Sequence, residues 1–455
     1  MRTQKEWFNL GVDYVRSGKF QDAIDAYKEA IQLEPNNGAI YNNLGAVYGK
    51  SGLHEEAIEA YKKAIQIEPN DATAHFNLGL AYRESGMFEE AIESLRRATQ
   101  IQPNKAMAHY GLGLAYRESG MYQQAIEAFR RAIRIEPNNA AVHFNFGLAY
   151  RESGMFREAI EAFKEAIRIQ PNKAMAHCGL GLAYRESGMY QQAIEPFRRA
   201  IRLEPDNATA HFNLGLAYRE SGMFEEAIES LRRATQIQPN NAVAYNNLGN
   251  TYVESGMYEE AISAYKLSIK IQPDSSATYN NLGNAYGRLH LRDDEMEAYK
   301  QAILIEPNDA TAHFNLGLAY NASGMYEEAI EAFKEAIRIQ PNKAMAHCGL
   351  GLAYRESGMY QQAIEAFKGA IQMRPYDARI HYWLGITYGK SDNHKDAIDA
   401  YKQAIRIKPD YTDAHYHLGV AYTRLNDRNA ALREHSILTK LDEQIALRLF
   451  KFIYE

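Results

Sequence analysis

Twelve of the thirteen prolines stand 34 residues apart, at Pro35, Pro69, Pro103, Pro137, Pro171, Pro205, Pro239, Pro273, Pro307, Pro341, Pro375 and Pro409, and only Pro196 lies off this grid. Self-similarity at a fixed period of 20 to 50 residues is the mark of stacked repeats, in which each unit buries its apolar face against its neighbours. A length of 455 residues would otherwise suggest about three globular domains. The period removes that reading, and an apolar content of 46% is ample for a continuous core.

Written in blocks of 34 from Gln4, the chain holds twelve full repeats to Tyr411 and a thirteenth from Thr412 to Ile445. The blocks are 4–37, 38–71, 72–105, 106–139, 140–173, 174–207, 208–241, 242–275, 276–309, 310–343, 344–377, 378–411 and 412–445, and 446–455 is expected to finish a capping helix. Position 8 is always glycine (Gly11, Gly45, through Gly419) and position 11 always tyrosine. Position 20 is alanine except at Glu295, and position 27 is alanine except at Ser268 and Leu438. Residues 4, 7, 8 and 11, then 20, 24 and 27, recur at three and four, which predicts two helices per repeat. The small residues mark where those helices approach closely, and rings at 11 and 24 fill the wider gaps. Ser-Gly pairs such as Ser85-Gly86 break the first helix from the second. Steps such as Pro69-Asn70 end the second helix and are expected to cap the next.

Trp7 or Tyr41 at position 4, with Leu10, Gly11, Tyr14, Ala23, Tyr27, Ala30 and Pro35, resembles the tetratricopeptide repeat pattern from residue 4 to about 445. The resemblance implies an all-α solenoid, a right-handed superhelix of antiparallel helix pairs with the first helices lining a concave groove. It also implies recognition of peptides or helical segments of partner proteins. The long uninterrupted array is similar to the superhelical half of O-linked N-acetylglucosamine transferase, with no counterpart of that enzyme's catalytic half.

Enzymatic chemistry is not expected, and no catalytic, cofactor or metal site is assigned. No nucleophile and base stand at a working spacing, and there is neither a phosphate-binding glycine loop nor paired cysteines. Nine histidines occupy position 4, from His75 to His415. They project in parallel and do not converge as a tetrahedral metal site requires, so they are read as packed structural groups. Cys178 and Cys348 are five repeats apart, too far for a disulfide. A net charge of -6 argues against nucleic acid and anionic lipid. Residues Met1 to Gly11 show no signal-peptide core, so a cytoplasmic location is expected, with no membrane insertion.

By the resemblance, first-helix positions 2, 5, 6, 9, 12 and 13 face the groove. Position 6 is asparagine at Asn9, Asn43, Asn77, Asn145, Asn213, Asn247, Asn281 and Asn315. An amide that both donates and accepts suits the main chain of an extended segment. Repeats three to seven carry Phe76, Tyr110, Phe144, Cys178 and Phe212 at position 5, leucines at position 9, and Arg83, Arg117, Arg151, Arg185 and Arg219 at position 12. That combination predicts a partner segment with hydrophobic and acidic residues. The bland reading of the same row has leucines packing between first helices and each arginine pairing with a neighbour such as Glu84 or Glu118. In repeats eight and nine, Asn246, Asn247, Asn250, Asn280, Asn281 and Asn284 make a polar patch. The carboxylate-gripping subtype of the family is excluded, because Phe8, Val12, Asn43, Thr73 and Asn77 lack its cations.

Three departures carry further expectations. Pro196 sits inside a second helix as tolerated drift. Repeat nine, with His290, Leu291 and Glu295 for the usual residues, is the expected irregular joint. Leu441, Ile445, Leu449 and Phe452 form an apolar stripe, read as a cap or as a homo-oligomer surface. The function these features predict is a non-enzymatic protein-interaction scaffold. The alternatives are self-assembly through the ends and a targeting subunit for a separately encoded enzyme such as a glycosyltransferase.

Overall fold

A computed structural model describes residues 2–455, so Met1, at the head of the segment read for a signal peptide, lies outside the described residues. Twenty-seven helices and no strand occur among them. The chain divides into two compact units, Met1–Gln238 and Pro239–Glu455. The first holds α1 (Gln4–Arg16), α2 (Phe20–Leu33), α3 (Gly38–Lys50), α4 (His54–Ile67), α5 (Ala72–Glu84), α6 (Phe88–Ile101), α7 (Ala106–Glu118), α8 (Tyr122–Ile135), α9 (Ala140–Glu152), α10 (Phe156–Ile169), α11 (Ala174–Glu186), α12 (Tyr190–Leu203), α13 (Ala208–Glu220) and α14 (Phe224–Ile237). The second holds α15 (Ala242–Glu254), α16 (Tyr258–Ile271), α17 (Ser276–Arg288), α18 (Arg292–Ile305), α19 (Ala310–Ala322), α20 (Tyr326–Ile339), α21 (Ala344–Glu356), α22 (Tyr360–Met373), α23 (Ala378–Lys390), α24 (His394–Ile407), α25 (Thr412–Arg424), α26 (Arg428–Leu441) and α27 (Glu443–Tyr454). Odd and even helices pair antiparallel as an all-α solenoid, each pair packing on the next within its unit.

In twelve repeats the invariant glycine at position 8 admits the ring or leucine at position 24, which therefore sits at a close approach and not in the wider gap expected. A β-carbon added at Gly113 would lie 2.5 Å from Cε1 of Phe129, and one at Gly11 would lie 2.6 Å from Cε1 of Tyr27. Ala23, Ala30, Ala125 and Ala132 are fully buried beside these rings. The break between paired helices falls on a left-handed residue, such as Gly86 with φ +73°. That conformation costs any residue with a β-carbon, which is why glycine recurs there.

Each of the nine position-4 histidines donates from Nε2 to the carbonyl of the grid proline six residues earlier, at 2.8 to 3.0 Å. The proline ends one helix while its carbonyl anchors the next. The cap itself falls one residue beyond the expected step. Asp71, not Asn70, accepts from Thr73 N at 2.8 Å, because the turn after proline takes one more residue before the helix begins.

Repeat nine is regular, contrary to the expectation of an irregular joint. Its helices have the usual 13 and 14 residues. Glu295 is buried in the alanine position, where the missing side chain of Gly287 leaves room and Arg292 Nη1 binds its Oε2 at 2.6 Å. His290 takes the left-handed turn at φ 59° in place of glycine. Helix α12 runs unbroken through Pro196, with the neighbouring Ala193 N to Met189 O bond at 3.2 Å.

Of the apolar stripe at the C-terminal end, Leu449 is buried in the core and Ile445 packs against it, whereas Leu441 does not join them. Asp442 stops α26 and caps α27 by accepting from Gln444 N and Ile445 N. The new register buries Ala446, Leu449 and Ile453, while Leu441 is 41% exposed. No helix of the described residues is long and apolar enough to cross a membrane.

Candidate functional site

Within each unit, successive first helices touch one another as well as their own partners: α3 to α5, α5 to α7 and onward to α13 in the first unit, α15 to α17 and α19 through α25 in the second. The first-helix side is therefore the inner face of each unit, the side to which the resemblance assigns positions 2, 5, 6, 9, 12 and 13.

In the first unit the position-5 rings lie over the position-24 rings. Tyr110 and Phe129 have centroids 6.0 Å apart, Phe144 and Phe163 5.7 Å. Phe76 is part-buried under the Lys105 ammonium, 5.7 Å from the ring centre, and Phe212 is half-buried. Burial pushes the Cys178 thiol, in the same row, up to about 11. Leu114 and Leu148 pack on the core. The apolar strip is thus largely the outer layer of the core.

The arginine row does not stand as free cations awaiting an acidic partner. Arg83 pairs with Glu118 at 3.5 Å, Arg117 with Glu152 at 3.8 Å, and Arg151 with Glu186 at 3.6 Å. Arg219 pairs with Glu220 at 2.9 Å. Burial lowers the pKa of Arg185, with Glu186 and Glu220 opposing. For Arg83, Arg117 and Arg151 the physical reason is register: position 12 of one repeat meets position 13 of the next. The arginines are the more enclosed partners, with Arg117 side-chain exposure of 17% against 31% for Glu152.

The asparagine ladder likewise spends much of its bonding inside the array. Asn77 Nδ2 donates to Asn42 Oδ1 at 3.0 Å, Asn145 to the Tyr110 hydroxyl at 3.0 Å, and Asn281 to Asn246 Oδ1 at 3.2 Å, each reaching back to position 5 of the preceding repeat. Asn43, Asn213 and Asn247 donate to carbonyls one turn back in their own helices. Asn280 is turned inward, Nδ2 donating to Asp309 Oδ2 at 2.7 Å. Its Oδ1 is buried without a hydrogen-bond partner among the described residues. Asn315 is half-buried.

Asn250 and Asn284, at position 9, differ. The buried Tyr265 hydroxyl donates to Asn250 Oδ1 at 2.7 Å, and Tyr299 does the same to Asn284 Oδ1 at 2.7 Å. Burial, with Glu295 nearby, pushes the Tyr299 pKa well above its ordinary value, keeping that hydroxyl a donor. With the oxygen held, each amide keeps its Nδ2 donors out of that bond, and Asn284 is exposed and Asn250 half-buried. The pairing of tyrosine at 24 with asparagine at 9 occurs in these two repeats alone and was visible in the sequence.

The profile described as the C-terminal domain of cilia and flagella-associated protein 70 matches residues 3–211. The TPR repeat profile matches residues 215–256, 249–289, 296–324, 319–358, 351–392 and 390–426, and further tetratricopeptide repeat profiles match 197–229 and 276–309. No curated protein matches the chain. Solved structures similar to it include the APC/C hetero-tetramer Cut9-Hcn1, 15% identical over 92% of this chain and 96% of that one, with TM-score 0.42. MamA is 33% identical over 36% of this chain and 96% of its own, with TM-score 0.35. Yeast Tom70 is 16% identical over 97% of this chain and 98% of its own, with TM-score 0.38. The repeat profiles join without a gap from residue 197 to 426, over paired helices of constant length, and the chain belongs to the tetratricopeptide-repeat proteins.

Proposed function

We propose that the chain is a non-enzymatic scaffold whose inner face binds an extended or helical segment of a partner protein through its main chain. The observation that carries this reading is the pair of oriented amides in the second unit. Tyr265 and Tyr299 fix Asn250 and Asn284 so that both present donors in the same sense, one repeat apart. Neighbouring helices pack about 8–10 Å apart, and an extended segment rises about 3.3 Å per residue. Two amides at that spacing meet carbonyls about three residues apart, without demanding particular side chains. In the first unit, Phe76, Tyr110, Phe144 and Phe212 offer half-buried apolar contact, while the paired Arg83 to Arg219 row supplies position rather than net charge.

A peptide library displayed on phage tests the reading directly. Peptides selected by the wild-type chain should bind Asn250→Ala/Asn284→Ala about tenfold more weakly, the size expected for two lost hydrogen bonds of about 0.5–1.5 kcal/mol each. Undiminished binding by the double variant refutes the groove.

A second reading, self-association, is favoured by one observation: Leu447, Phe450 and Tyr454 of α27 are 56%, 41% and 55% exposed on one side of that helix. Deleting α27 would confound the test, because Leu449 belongs to the core. Leu447→Glu/Phe450→Glu spares the core, and a light-scattering mass that is monomeric before and after the change rules out assembly through this face. A targeting role for a separate enzyme uses the same groove and would be settled by the partner's identity.

A further inference from the structure

Position 24 holds two kinds of side chain. Leucine or phenylalanine stands there wherever positions 12 and 13 are Arg-Glu, as in Leu95 with Arg83-Glu84 and Phe367 with Arg355-Glu356. Glycine stands at position 12 three times, at Gly49, Gly287 and Gly389. Each time a cation follows at 13 (Lys50, Arg288, Lys390) and tyrosine occupies 24 (Tyr61, Tyr299, Tyr401). The hydroxyl that tyrosine adds points at the space that arginine would cover.

In repeat nine that hydroxyl is taken by Asn284 and the space by Glu295. In repeat two the nearby charge is the carboxylate of Glu84. Repeat twelve leaves the place open. Tyr401 is 3% exposed, its ring 6.1 Å from Tyr382 and stacked on His417 at 6.0 Å. Position 9 is Ile386, and the Tyr401 hydroxyl has no hydrogen-bond partner among the described residues. A β-carbon added at Gly389 would meet only that hydroxyl, at 3.8 Å. Arg355 acts electrostatically on Tyr401 from the preceding repeat, and Lys390 stands beside Gly389 with 45% side-chain exposure. Glu356 binds both cations, at 2.7 and 3.6 Å, so these three groups carry one net positive charge, while around the adjoining Tyr382 and His417 the charges of Asp413 and Arg448 oppose each other.

We propose that the gap over Tyr401 is an anion site for an aspartate or glutamate side chain of the bound segment. The hydroxyl donates to one carboxylate oxygen, and Lys390 with Arg355 supplies the charge. This rests on the inner face being a peptide-binding surface. The neighbouring floor specifies more of the occupant. Trp383 takes position 6 in place of asparagine and lies half-buried 6.3 Å from Phe367. It stands six residues from Gly389 in the same helix, about 9 Å along the axis at 1.5 Å per residue, so at this place the segment lies along α23 rather than across the repeats. An extended segment covers that distance in about three residues. The fitting partner therefore carries an apolar or aromatic side chain three residues from its acid.

The chain contains two tryptophans, so Trp7→Phe leaves Trp383 as the sole tryptophan, excited selectively over the tyrosines at the red edge of its absorption. The probes are the peptide acetyl-Pro-Phe-Pro-Ser-Glu-Pro-amide and its glutamine counterpart, titrated against the full Trp7→Phe chain. The glutamate peptide should shift Trp383 emission and bind at least about tenfold tighter than the glutamine peptide, as a charge-assisted bond implies. Tyr401→Phe should remove that advantage, because it weakens the glutamate peptide far more than the glutamine peptide, whose neutral carbonyl loses only an ordinary hydrogen bond. The fold tolerates it, since phenylalanine fills this position at Phe129, Phe163, Phe197, Phe333 and Phe367. Gly389→Arg/Lys390→Glu, which gives repeat twelve the Arg-Glu of repeats three to seven, should also abolish the preference. Equal binding of the two peptides, or an advantage that survives Tyr401→Phe, overturns the proposal. If neither peptide binds while peptides sensitive to Asn250→Ala/Asn284→Ala still do, this site falls and the groove reading stands. If those peptides fail as well, both fall.

Discussion

Leu449 fills the space before Gly419 that a position-24 side chain of the same repeat fills in each of the twelve repeats before it. Its Cδ2 lies 2.5 Å from where a β-carbon on Gly419 would sit, in the manner of Tyr401 before Gly385 and Phe367 before Gly351. Repeat thirteen has His435 at position 24, and the job passes to a residue fourteen positions on, in α27. Helix α27 is thus an integral part of the last helix pair. Leu449→Ala should destabilise α25 to α27 by about 2–5 kcal/mol, as buried leucine truncations do. Hydrogen exchange should show the loss confined to these helices, while Phe450→Glu, on the exposed side, changes their protection little.

The same steric logic links Gly287 and Glu295. A β-carbon at Gly287 would come 2.5 Å from Glu295 Oε1, a carboxylate already held by Arg292. Gly287→Ala should lower the denaturant midpoint of the second unit, with an overpacking cost of about 1–3 kcal/mol. Glu295→Ala restores the alanine of the other repeats and should rescue the double variant. Additive losses in the two single variants, with no rescue, would show that the residues do not share this space.

The helix pairs and their contact layer could be read from the sequence because both follow from spacing along one chain direction. Gly113 and Phe129 recur at a constant offset along the chain, but the pattern assigns the ring to a wider gap, and its direct contact with the glycine emerges only in the fold. The inner face was less legible. The spacing puts Asn145 on the first helix, yet nothing in it says that its Nδ2 reaches Tyr110 rather than a ligand. Arg83 and Glu118 are 35 residues apart, and their pairing depends on how far one repeat is rotated against the next. Glu295 looked like a defect because its compensation by Gly287 lies eight residues earlier, in a different helix.

The Arg-Glu row predicts a modest and salt-sensitive coupling between repeats. Arg117 is only 17% exposed, and besides Glu152 it donates to Asn145 Oδ1 at 2.5 Å. A double-mutant cycle on Arg117→Ala and Glu152→Ala should give a coupling of up to about 1 kcal/mol. Raising ionic strength from 0.1 to 1 M shortens the screening length from about 10 to about 3 Å and should shrink it. A coupling unmoved by salt would assign the effect to packing of the arginine stem instead.

Repeat thirteen should also carry a pH dependence of its own. Burial of His415 opposes its charged form, but a 2.6 Å contact from Nδ1 to Glu434 Oε2 and the bond from Nε2 to the Pro409 carbonyl favour it. The net direction is upward from 6.5. A histidine whose folded pKa exceeds its unfolded one binds its proton more tightly when folded, so its stabilisation is complete below the unfolded pKa. That stabilisation is lost as pH rises through the folded value. The NMR titration of His415 should therefore show a midpoint above 6.5. Hydrogen exchange, corrected for its intrinsic pH dependence, should show α25 and α26 opening more readily above that midpoint than below it. Glu434→Gln removes the charged acceptor and should bring the midpoint down. A midpoint that stays raised in that variant would place the cause at the proline carbonyl, which eight other histidines share without the carboxylate.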